Sequence, residues 1–182
     1  MTYYGGKELA AAFRTVRNNT IRIAEDIPET LYNFKPAPDT SSVAETLAHI
    51  AVSTGFQSYI HQNKVTEMAK VKFMELLPVF RAEETKPRDK AELIAFLKEK
   101  GDAFAAYLES LPEAFLAEQV TMRPGAMPPA KSRFEMLLSA KEHEMHHRGQ
   151  LMTMQRMNGI VPHVTREAQE RMARMTAAAA QK

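Results

Sequence analysis

Three times this chain writes a capped helix start. Ser42-Val43-Ala44-Glu45, Asp89-Lys90-Ala91-Glu92 and Ser132-Arg133-Phe134-Glu135 each set a Ser or Asp three residues ahead of a Glu. In such a box the short side chain caps a free amide of the first turn and the glutamate bonds back to the cap residue. Each box opens a run whose apolar residues recur at helical spacing. A chain punctuated this way is committed to helices, and period-2 alternation is nowhere convincing.

The spacing predicts a first helix over residues 6–26, with Leu9, Phe13, Val16, Thr20 and Ile23 inward and Pro28 ending it. Residues 28–38 hold three prolines and read as a connector. A second helix covers residues 42–62. Residues 63–84 read as a partly helical crossover that Pro78 breaks. The third helix runs from the Asp89 cap to about Ser110, and its Gly101 costs about 1 kcal/mol of propensity relative to alanine. Residues 112–131, with four prolines and Gly125, read as one long loop. The fourth helix runs from the Ser132 cap to Asn158-Gly159, where glycine suits the left-handed C′ position. Thr165 caps a short last helix reaching about Ala179. The fold class that follows is all-α: a four-helix bundle with a long crossover and a short C-terminal helix, in one domain over residues 1–182.

The chemistry concentrates in residues 142–150, where half of the six histidines fall within five positions. His143 and His147 lie four apart, on one helix face. On the fourth helix the inner stripe reads Leu137, Ala140, His143, His147, Gln150, Leu151 and Met154. Buried neutral imidazoles need hydrogen-bond partners or a metal, and spacing alone leaves both open. His49 lies at the margin of the second helix's inner face, beside small Ala48 and Ser53. Three histidines from two helices would leave one side of an ion open. The string His143-Glu144-Met145-His146-His147 also satisfies the zinc-peptidase pattern in which the glutamate is the general base, with Glu167 as a downstream third ligand.

Composition narrows the options. There is no cysteine, so a metal must be held by His, Asp or Glu, and any catalytic thiol must arrive on a cosubstrate. A net charge of +2 with scattered basic residues predicts no nucleic-acid partner. No apolar run approaches a membrane span, and the first seven residues lack a secretory pattern. The expected location is cytoplasmic.

The segment Ser42 to Ile50 with its histidine, together with His143-Glu144-Met145-His146-His147-Arg148-Gly149-Gln150-Leu151, resembles the DinB / YfiT-like family of small four-helix-bundle metalloproteins across nearly the whole chain. The resemblance implies a metal triad of His49, His143 and His147, with His146 a non-ligating neighbour. It implies a divalent ion, commonly zinc or nickel, and a homodimer. Some members of that family transfer bacillithiol or a related low-molecular-weight thiol, and others isomerise maleylpyruvate using mycothiol. The expected function is a metal-dependent transferase of a metal-activated low-molecular-weight thiol onto a small-molecule electrophile, whose pocket loop 112–131 would shape. The alternatives are a structural or vestigial metal-binding stress protein without catalysis and an HExxH-type zinc hydrolase. No catalytic side chain is assigned. Glu144 is expected to face solvent and pair with Arg148, and Gln150 to bond a ligating histidine. His61 is expected on the surface and His163 in a loop. Methionines 136, 145, 152, 154 and 157 are expected in core or dimer packing.

Overall fold

The computed structural model describes residues 4–179; residues 1–3, part of the stretch read for a secretory signal, and 180–182 lie outside it. The elements in order are α1 (Gly6–Asp26), a 3-10 turn (Glu29–Leu31), α2 (Val43–Gln62), a second 3-10 turn (Met68–Lys70), α3 (Phe73–Glu84), α4 (Lys90–Glu109), α5 (Glu113–Ala117), β1 (Gln119–Thr121), β2 (Ala130–Ser132), α6 (Arg133–Met157) and α7 (His163–Ala179). All three capping boxes form. Ser42, Asp89 and Ser132 each accept from the amide three residues on, and Glu45, Glu92 and Glu135 each bond back.

The four long helices α1, α4, α2 and α6 close a ring in that spatial order. One core layer joins Ile23 and Ile27 at the end of α1 to Val43 and Leu47, Leu93 and Leu97, and Leu151 and Met154. A second layer joins Leu9 and Phe13 at the start of α1 to Phe104, Leu108, Leu137 and Ala140. These partners make α1 parallel to α6 and α2 parallel to α4. Joining two parallel helices requires a return passage along the bundle, and residues 63–89 supply it. Among the described residues no helix is long and apolar enough to cross a membrane.

Four expectations are corrected. Pro78 lies inside α3 instead of breaking it. A proline frees the carbonyl four residues earlier, which here belongs to Met74, 76% exposed; solvent can satisfy it. Residues 112–131 are not one loop: they carry α5, all of β1 and the start of β2, paired antiparallel with Val120 opposite Lys131. Val120 is fully buried against Ile60, Met68 and Met136, and Gly125 takes a φ of +84° in the turn. The last helix starts at His163, two residues before Thr165, and His163 is buried with Nε2 facing Asn19 Oδ1 at 3.1 Å. Of the methionines on α6, Met136 and Met154 are buried while Met145 and Met157 are exposed.

The fourth correction is His61, which is buried rather than on the surface. Arg133, itself wholly buried, donates from Nη1 to His61 Nδ1 at 3.3 Å and from Nε to Glu118 at 2.8 Å. Burial, and then the Arg133 charge, push the imidazolium pKa of His61 down to about 4. The unfolded chain therefore takes up a proton near pH 6.5 that the folded chain refuses until about pH 4. Stability from this group is complete above pH 6.5 and is lost as pH falls toward 4. Urea unfolding of metal-free protein should show a loss on the order of 2–3 kcal/mol across that window from His61, and His61→Leu should flatten the slope.

Candidate metal centre

α2 and α6 are neighbouring antiparallel helices, and the three expected ligands meet between them. His49 comes from the second turn of α2, and His143 and His147 from successive turns of α6. His49 Nε2 lies 3.2 Å and His147 Nε2 3.1 Å from His143 Nε2. One ligand atom from each residue lies within 4.8 Å of the others. Nitrogens about 2.0–2.1 Å from one ion are about 3.3 Å apart in a tetrahedron and about 2.9 Å apart at neighbouring octahedral corners. The two contacts fall between these values.

The outward nitrogens decide what the inward ones offer. His49 Nδ1 is 3.0 Å from Glu84 Oε1, which can only accept when ionised, so Nδ1–H donates and Nε2 keeps its lone pair. His147 Nδ1 is 2.7 Å from Gln150 Oε1 and is set the same way. Two lone pairs thus point at His143 Nε2, which carries at most one proton to share between them. A divalent cation satisfies all three. Burial, then the neighbouring imidazoles of His147, His49 and His146, push His143 down to about 4. Burial also lowers His147, against the opposing pull of Gln150. Neutral imidazole is the ligating form, so the site is ready at neutral pH.

The centre is half-exposed at the bundle edge and not sealed in the core. A cavity of about 360 Å³ touches His49 and His147, with Thr40, Ser41, Thr153 and Met154 among its walls. A larger groove of about 810 Å³ also reaches His49, between the end of the connector at residues 33–42, the start of α2, and the end of α3 at Phe80, Arg81 and Glu84. Neither is lined by residues 112–131, which pack at the far end of α2. The expectation that this segment shapes the pocket is therefore replaced: the proline-rich connector and α3 do so.

Gln150 bonds His147, one of the three expected ligands. It also approaches His146, which is exposed and outside the ligand cluster. Glu167 is exposed and paired with Arg22, so it does not complete a peptidase-type site. Glu144 is 1% exposed and bonded to Arg17, neither facing solvent nor paired with Arg148. Sequence reasoning missed Glu84 altogether; one glutamate among many near the end of α3 carries no local signal.

A chelator-treated sample should rebind one divalent ion per chain. His49→Ala should remove that binding, while Glu167→Ala should leave it intact; metal analysis after gel filtration checks both. Glu84→Gln should weaken affinity about 10–100-fold, read by competition with a chromophoric chelator. Affinity should fall as pH drops below neutrality, because protons compete for the imidazoles.

A sequence model of the DinB superfamily matches residues 12–151. The uncharacterized protein YjoA of Bacillus subtilis is 28% identical over 152 residues, covering 84% of this chain and 90% of that protein. The crystal structure of the DinB-like YjoA superposes with a TM-score of 0.60 at 24% identity, over 84% of this chain and 92% of the other. YfiT from B. subtilis, described as a probable metal-dependent hydrolase with an unusual four-helix bundle topology, superposes with a TM-score of 0.66 at 13% identity, over 88% and 91%. A Streptococcus pneumoniae protein gives 0.63 at 19% identity, over 86% and 93%. The three structural likenesses, none above 24% identical, concern the fold; the family match over residues 12–151 makes this protein a member of the DinB superfamily.

Proposed function

We propose that this protein is a metal-dependent transferase. A divalent ion, zinc or nickel, held by His49, His143 and His147 would activate a low-molecular-weight thiol for attack on a small electrophile. The observation that carries this reading is the meeting of three imidazole Nε2 atoms beside an open cavity that His49 and His147 line. Histidine nitrogens suit zinc and nickel. Such an ion supplies Lewis acidity, lowering the pKa of a thiol or water that binds it. With no cysteine in the chain, the sulfur comes with a cosubstrate.

The protein's own residues bind and orient. Glu84 holds the proton on His49 Nδ1, and Gln150 holds the proton on His147 Nδ1. Both bonds keep the Nε2 lone pairs directed inward. Ser41 lines the cavity with a hydroxyl, Thr40 and Thr153 line it with hydroxyls whose protons go to the Ala37 and Gly149 carbonyls, and Pro36 and Met154 give it an apolar side.

A second reading, hydrolysis, is favoured by the description of YfiT; water would replace the thiol as nucleophile at the same centre. The two separate in one experiment. Zinc- or nickel-loaded protein is mixed with a small thiol and 1-chloro-2,4-dinitrobenzene, and in parallel with p-nitrophenyl acetate and no thiol. Thiol-dependent thioether formation, lowered at least about tenfold by His49→Ala, is the expected result. Metal-dependent ester cleavage alone would favour the hydrolase. Turnover of neither substrate, with the ion still bound, would leave the non-catalytic metal site.

A further inference from the structure

The middle of the bundle holds a buried ion pair that the packing does not call for. Arg17 of α1 is 3% exposed and Glu144 of α6 is 1% exposed. Arg17 Nε donates to Glu144 Oε1 at 2.9 Å and Oε2 at 3.1 Å, and Nη2 donates to Oε2 at 2.9 Å. The same guanidinium reaches two further helices through backbone. Nη1 donates to Leu97 O of α4 at 2.7 Å, and Nη2 to Ile50 O of α2 at 3.3 Å. On α1 it lies between the two core layers, with Phe13 in one and Ile21 in the other.

Stability alone gives little reason for this pair, since well-packed apolar side chains at a buried ion pair are often as good or better. Its address gives a reason. Ile50 follows His49, and Glu144 follows His143. A single nitrogen, Arg17 Nη2, therefore bonds both arms of the triad one residue from a ligand. Apolar contacts between α2 and α6 resist separation but are tolerant of small slides and rotations. Directional bonds are not, and metal ligands must be held to within a few tenths of an ångström. Glu144 points about 100° around α6 from His143, so fixing it fixes the rotation that aims the histidines.

We propose that Arg17 is a positioning residue, whose fork bonds to Glu144 and to the Ile50 carbonyl set the spacing of His49 against His143 and His147. Gly101 is part of the device. A Cβ there would lie 2.7 Å from Arg17 Cγ and 3.2 Å from both Cδ and Nη1, so it would press on the side chain from its stem to its guanidinium. Glycine in mid-helix is explained by the room that Arg17 needs, despite the propensity it gives up.

The inference rests on the metal centre proposed above. The test uses full-length protein, with Zn²⁺ affinity measured by chelator competition, the Co²⁺ absorption spectrum, and thermal unfolding. The double variant Arg17→Met/Glu144→Leu removes both charges together and should stay folded. Its Zn²⁺ affinity should fall about 10–100-fold, with altered Co²⁺ bands. Gly101→Ala should shift affinity and spectrum in the same direction by less, although alanine favours the helix. Leu9→Ala, in the distant core layer, should lower the melting temperature and leave Zn²⁺ affinity unchanged. Wild-type affinity and spectrum in the folded double variant would overturn the positioning role alone, as would an equal loss of affinity in Leu9→Ala. If the double variant does not fold, Gly101→Ala decides by itself. Wild-type protein that takes up no Zn²⁺ would overturn the metal centre, and this inference with it.

Discussion

One guanidinium touches every wall of the bundle. Arg17 is carried on α1, and it bonds a side chain of α6 and backbone carbonyls of α4 and α2. Because the charge is buried, its donors have to be satisfied where they stand. The helices are accordingly held at the separations those bonds allow. The apolar layers above and below fill the space so defined, with Ile23 and Leu47 in one and Phe13 and Leu108 in the other. The ion pair restricts the geometry and the apolar layers supply the bulk of the favourable burial.

The candidate metal centre sits at the edge of the same cross-section, and the helical period explains how one short string serves two purposes. Residues 143 and 147 share a face toward α2, while residue 144 is turned about 100° toward α1. What reads as an HExxH motif is thus two histidines on one face with a glutamate on another. A general base must reach the reacting centre, and Glu144 is instead closed into bonds with Arg17. The carboxylate that does approach the centre is Glu84, from a helix outside the four-helix ring and through His49.

Much of the architecture was legible in the chain because helix starts are written locally. The boxes at Ser42, Asp89 and Ser132 need only residues three apart, and all appear where the spacing put them. What escaped depends on partners far along the chain. β1 and β2 are three residues each, too short for a period to register, and they exist because Val120 finds Ile60 and Met136. His61 looks like a helix-end surface residue until Arg133 and Phe115 are placed beside it. The pairing of His143 with His147 could be read from spacing. Its union with His49, 94 residues away, is only suggested by His49's place at the margin of an inner helix face, is implied by the family resemblance, and takes shape as a cluster of nitrogens. Glu84 and Arg17 could not be found this way, since each acquires its meaning only from what it touches.

The position of the cavities bears on what such a centre can do. Residues 112–131, for all their length, are spent on covering the far end of α2. The shorter 28–42 connector reaches the histidines, and its prolines give a stiff rim with Pro36, Thr40 and Ser41 in place. On the opposite rim α3 has no buried residue and carries Phe80 and Glu84 at the groove. The helices that carry the three histidines are tied by the buried bonds of Arg17, whereas α3 is held by a thin contact with α2. A rigid set of imidazoles beside a weakly anchored wall is the division of labour that a metal centre would need to keep its geometry while reactants enter and leave.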